Sequence, residues 1–125
     1  RRQRQMCIRD SYWMSAPSLL KKWQDEVFTF LSKTPAVAGK PLTVVTTTGS
    51  EYEAYRSGGR NRFTMDELLR PYQVSAIHSG MSWQTPIVVY GMGTADAGKN
   101  IAEGANLYKQ RVEMLIGSSN AGNNW

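Results

Sequence analysis

The sequence predicts an α/β domain built on a parallel sheet, and three observations predict it. A β-branched run, Leu42–Thr47, ends at Gly49, and a second run, Pro86–Tyr90, leads into a glycine-containing loop. These runs alternate with amphipathic helical stretches, giving the order loop–α–β–loop–α–β–α, and such alternation implies right-handed βαβ crossovers. The near-continuous apolar and threonine content of the first run suits a parallel strand covered on both faces.

Each element has its own signal. Pro17 fits the first position of a helix, where a missing N–H costs nothing. Leu19, Leu20, Trp23, Val27, Phe30 and Leu31 then recur at helical spacing, with Lys21, Lys22, Asp25 and Glu26 on the other faces. Residues 35–40 form a loop, followed by the first strand. The polar, aromatic stretch from Ser50 to Phe63 contains Gly58 and Gly59 and reads as a long loop, a length usually tied to function. Thr64 and Glu67 stand in capping-box spacing at the head of the next helix. Pro71 kinks or splits that helix, and Gly80 ends it. The second strand is followed by the loop GMGTADAG, and a last helix is expected from about Ala95 to Ile116. Two strands are too few for the apolar faces of three helices, so the chain reads as the C-terminal portion of a larger domain.

Composition narrows the function classes. The chain has 125 residues, one domain's worth, and at 41% hydrophobic and 20% charged it is no disordered protein. No apolar run reaches the length of a membrane span. The single cysteine, Cys7, and single histidine, His78, argue against a disulfide framework and a metal site. The net charge of +5 is concentrated at one end: Arg1, Arg2, Arg4 and Arg9 against Asp10 account for +3, leaving +2 for the rest. A nucleic-acid partner is therefore not expected, because its footprint would be a basic stripe along a folded face. Residues 1–11 match neither strand nor helix periodicity and read as a non-native or disordered segment. Residues 12–116 form the truncated domain, and 117–125 a flexible tail.

Three segments carry candidate chemistry. Tyr12-Trp13-Met14-Ser15 is an aromatic loop before a helix, with a flat apolar wall and a soft sulfur suited to a ring system. Ordinary core packing of the tryptophan is the competing reading. Thr47-Thr48-Gly49-Ser50 closes the first strand; Gly49 permits a positive φ and close approach of backbone amides to a ligand. Tyr55 follows, with Arg56, Arg60, Arg62 and Arg70, which either recognise phosphate or line a solvated surface. His78 reads as an ordinary helix residue. No Walker-type phosphate loop is present.

The strings YWMSAPSLLKKW, LTVVTTTGSEYEAY, GGRNRFTMDELLRPY and GMSWQTPIVVYGM together resemble the flavodoxin-like NAD(P)H:quinone oxidoreductases, in order and spacing, over Tyr12 to about Ile116. The nearer branch is bacterial and includes ancillary subunits of glutathione-gated potassium efflux systems and general-stress NAD(P)H oxidoreductases. The resemblance implies a flavodoxin-like three-layer fold with a parallel sheet, of which the first strand, its phosphate loop and most of the central strand lie outside the chain. It implies FMN or FAD as cofactor, NAD(P)H as co-substrate and a quinone or similar acceptor, in a ping-pong cycle. Tyr12, Trp13, Met14 and Ser15 would contact the isoalloxazine; Thr47, Thr48, Gly49 and Ser50 would supply amides to its N1/C2=O edge. Tyr55 would lie beside the flavin as the catalytic residue. Asn61 stands where some relatives place a histidine, so a direct histidine relay is not carried over. A homodimer, in the cytoplasm or peripheral at the inner membrane through a potassium-efflux partner, follows from the same resemblance. Two alternatives stand beside the enzyme: a regulatory ancillary subunit of such an efflux system, and an inactive fragment.

Overall fold

The computed structural model describes residues 14–122. Its first helical stretch, α1, is α-helical over Ser18–Trp23, π-helical over Gln24–Phe28 and α-helical again over Thr29–Leu31. Strands β1 (Pro41–Leu42) and β2 (Val45–Thr47) follow, then a 3₁₀ turn over Tyr52–Ala54. Helices α2 (Met65–Leu68) and α3 (Arg70–His78) lead to β3 (Ser82–Trp83) and β4 (Ile87–Val89), and α4 spans Ala97–Gly122.

Both strand pairs are parallel, as the alternation of elements requires: β1 with β3 and β2 with β4. The expected strand Leu42–Thr47 is thus broken, and β3 was not foreseen. The break has a register cause. Leu42 pairs with Trp83 and Val45 with Ile87, so Thr43 and Val44 face three residues, Gln84, Thr85 and Pro86. The extra residue makes a bulge, placed where Pro86 has no N–H to give to a ladder. Backbone bonds from Gln84 N–H to Leu42 C=O and from Ile87 N–H to Val44 C=O, both 2.9 Å, carry the pairing across it.

The helix signals map closely onto the structure. Thr64 Oγ1 accepts from the Glu67 amide at 3.2 Å, and Glu67 Oε1 accepts from the Thr64 amide at 3.2 Å, completing the capping box. Pro71 splits rather than kinks the helix: Leu69, at φ −89° and ψ 3°, separates α2 from α3, with Pro71 in the first turn of the new helix. Gly80 ends α3 with φ +73°, a conformation open to glycine. Pro17 sits one position earlier than expected, as the cap, with Ser18 the first helical residue. The last helix runs to Gly122 instead of stopping near Ile116, because isolated glycines lower helix propensity without breaking a helix as proline does.

Alternation along β4 divides the interior. Val88 and Tyr90 face a cluster of Ala54, Tyr55, Met65 and Leu69, contributed by the 3₁₀ turn and α2 with its flanks. Ile87 and Val89 are buried toward the opposite face, where α4 lies. Gly104 sets that distance, since a Cβ there would stand 2.4 Å from Val89 Cγ2. The α1 stripe is less well covered; Leu19, Val27 and Phe30 stay exposed and no residue of α1 is buried. Two strands do not span enough width to meet it.

Gly104→Val forces β4 and α4 apart and costs about 1–3 kcal/mol in urea unfolding, and Val89→Ala restores part of the loss in the double variant. An unchanged midpoint for the single variant would show that α4 does not depend on this contact.

Candidate functional site

The carboxyl ends of β2 and β4 continue their ladder past the last strand residues. Thr48 N–H donates to Val89 C=O at 2.9 Å, Met92 N–H to Thr48 C=O at 2.9 Å, and Gly93 N–H to Gly49 C=O at 3.0 Å. Ser50 C=O accepts from Gly91 N–H at 2.9 Å and from Thr48 Oγ1 at 2.9 Å. The loops Thr47–Ser50 and Tyr90–Gly93 are therefore one hydrogen-bonded platform, with Thr47 and Thr48 buried beneath it. Asn100 Nδ2, from α4, ties in the second loop through Tyr90 C=O at 2.8 Å, and Arg60 Nη2 reaches Ser50 Oγ at 2.8 Å.

The donors of this platform are unevenly used. The carbonyls of Gly49 and Ser50 are engaged, whereas their amides have no acceptor among the described residues. A Cβ on Gly49 would meet nothing within 4 Å, so the backbone lies open there. Gly49 is not in the left-handed region, which corrects the expectation of a positive φ; glycine matters here for the space it leaves. Unpaired amides beside open space match the polar edge of a flat ring, and the residues present fit the flavin expected from the sequence.

Met14 and Ser15 line a cavity of about 390 Å³ that also includes Trp23, Val45, Thr46 and Tyr72, so the start of the described chain meets the outer side of β2. Met14 has φ 62°, a rare conformation for a side-chain-bearing residue. Tyr72, which the sequence reading passed over, lines the same cavity beside Ser15 and Ala16. Burial raises its pKa, and the neighbouring Ser15, Lys21 and Ala16 oppose the rise. Tyr12 and Trp13 lie outside the described residues, as does the segment 1–11.

Tyr55 is brought to the far side of the 3₁₀ turn, 5% exposed, within the core cluster. Its ring packs against Tyr90 at 5.8 Å between centroids, and Tyr52 meets Tyr90 edge-on at 5.2 Å. Tyr55 also lines a second cavity, of about 650 Å³, along the outer side of β4. Burial, reinforced by Asp66 and by Tyr52 and Tyr55, pushes the Tyr90 phenol up to about 12. His78 is exposed at the end of α3, in line with an ordinary helix residue. Tyr52, Tyr90 and Asn100 gave no sequence signal, because each becomes informative only once the loops are folded together.

Comparison with known proteins bears on what this platform serves. A family defined by the flavodoxin-like fold matches residues 11–112. The chain belongs to the flavodoxin-like family. General stress protein 14 of Bacillus subtilis (strain 168) is 41% identical over 107 residues, covering 82% of this chain and 61% of the relative. The glutathione-regulated potassium-efflux system ancillary protein KefG of Serratia proteamaculans (strain 568) is 43% identical over 83 residues, covering 63% of this chain and 45% of KefG. Among solved structures, an NADPH-quinone reductase from P. pentosaceus superposes with a TM-score of 0.67 at 30% identity, covering 78% of this chain and 61% of that one. General stress protein 14 of Treponema denticola, in complex with FMN, gives a TM-score of 0.73 at 26% identity, covering 86% and 63%. The chain thus spans roughly half to three-fifths of the length of these relatives.

Tyr90 titrates late. Phenolate absorbance followed through alkaline pH shows a tyrosine step near 12, and Tyr90→Phe removes that step. Because the raised pKa favours the protonated folded form, stability is fully present below pH 10 and falls as pH rises toward 12. Asp66→Asn moves the late step down; no movement would show that burial alone sets it.

Proposed function

We propose that this chain carries the isoalloxazine-facing part of a flavin-dependent NAD(P)H:quinone oxidoreductase. The observation that carries the reading is the pair of amides at Gly49 and Ser50 that have no partner among the described residues, beside open space at the carboxyl end of a parallel sheet. That is where α/β sheets receive their ligands. The FMN held by the Treponema relative and the quinone reductase among the structural neighbours support the cofactor and the reaction class. FMN is favoured over FAD on the same ground.

When bound, the flavin supplies two-electron chemistry between a nicotinamide and an acceptor. The chain's own part is electrostatic and positional. The Gly49 and Ser50 amides would hold the ring's polar N1/C2=O edge, as fixed donors that need no reorganisation where negative charge accumulates. Thr47 and Thr48 keep the platform rigid from below, and Arg60 restrains Ser50. Tyr12, Trp13, Met14 and Ser15 would form the apolar wall, and Tyr55 would bound the site from beyond the second loop. Donor and acceptor would share one face of the ring in turn, giving ping-pong kinetics, in a homodimer. The KefG similarity supports a second reading, a regulatory subunit docked on a potassium-efflux membrane protein. No described helix is long and apolar enough to cross a membrane, so a membrane location would come through that partner.

The deciding experiment is an FMN titration followed by flavin fluorescence, paired with NADPH oxidation by a soluble quinone. Gly49→Ala places a methyl where no protein atom stands, so folding stability is expected to stay within about 0.5 kcal/mol while FMN affinity falls at least tenfold. Equal FMN affinity in both proteins would remove the assignment of this loop. Tight binding to an efflux subunit with negligible turnover would favour the regulatory reading.

A further inference from the structure

The outer side of β4 holds a cavity that Gly49 and Ser50 do not line. Its volume is about 650 Å³, and its walls come from the 3₁₀ turn, the start of α2, the strand and α4. An outward strand edge would ordinarily invite another strand, but this one is blunted. Pro86 has no N–H, Asn100 Nδ2 occupies Tyr90 C=O at 2.8 Å, and Arg111 Nη1 occupies Thr85 C=O at 2.6 Å. Between them, the alternation of the ladder turns the N–H and C=O of Val88 outward, and neither has a partner among the described residues. One donor and one acceptor, side by side at the back of a cavity, are complementary to the edge of a nucleobase.

The remaining walls suit the rest of a nucleotide. Tyr52 and Tyr90 offer aromatic surface, with Tyr52 half exposed. Arg111 has no carboxylate partner among the described residues, and Arg56 holds only an exposed pair with Glu53 at 3.3 Å while lying 5.6 Å from the Tyr52 ring centre. Both guanidiniums are available to a phosphate. Asp66, likewise without an ion-pair partner among the described residues, offers an acceptor for ribose hydroxyls. We propose that this cavity is a purine-nucleotide site: the base edge on Val88, the ring against Tyr52, and the phosphate on Arg111 and Arg56. It stands on residues separate from the Gly49–Ser50 amides and does not depend on the flavin assignment.

The test uses the full chain, with AMP and GMP titrated calorimetrically and the backbone amides followed by NMR. Binding of either nucleotide, with Val88 and Tyr52 amides shifting, is expected, and Arg111→Gln and Tyr52→Leu should each weaken it at least tenfold. Adenosine without phosphate should bind at least tenfold more weakly than AMP. FMN quenching, measured in parallel, should be the same in Arg111→Gln as in the parent chain, so failure of the flavin reading and failure of this one are separately visible. Competition between AMP and NADPH would identify the ligand as the adenosine end of the dinucleotide; simultaneous binding would identify a free nucleotide. Absence of shifts at Val88 and Tyr52, or affinity untouched by both substitutions, overturns the proposal.

Discussion

The parallel ladder between β2 and β4 is the constraint on which everything else here depends. Its bonds do not stop at the strand ends but run on through Thr48, Gly49 and Ser50 into Gly91, Met92 and Gly93. Loops that would otherwise pay a conformational cost to meet a ligand are held in place by the same interaction that makes the sheet. The carbonyls are consumed by this pairing and the amides of Gly49 and Ser50 are left over. The polarity of the site is thus a by-product of which half of each peptide the ladder uses.

The same strand pair organises the layers on either side. Val88 and Tyr90 receive the 3₁₀ turn and α2, while Val89 receives Gly104 of α4. Tyr90 links these levels. Its carbonyl is fixed by Asn100 from α4, and its ring is packed by Tyr52 and Tyr55 from the other face.

What could be read from the sequence was what is written in local chemistry. The capping box at Thr64 and Glu67, the division at Pro71 and the stop at Gly80 are short-range effects of identifiable side chains, and each has its structural counterpart. The parallel arrangement followed from alternation of elements, and the Thr47–Ser50 loop from its place after a β-branched run. What failed depended on partners far away in sequence. The bulge opposite Thr43 and Val44 arises only when Gln84–Pro86 is laid beside them, and the conformation of Gly49 follows from bonds to Gly93. The Tyr72 contact to Ser15 joins residues from separate helical entries. Asn100 looks like any polar residue of a helix until its carbonyl acceptor is in view.

The blunted side of β4 has a consequence for how the molecule behaves in a crowd. With Pro86, Asn100 and Arg111 closing that margin, a neighbouring chain finds little backbone there to pair with. Strand-to-strand association through this margin is thereby disfavoured. The side chains that close this margin are two residues of α4, Asn100 and Arg111, each by occupying a strand carbonyl.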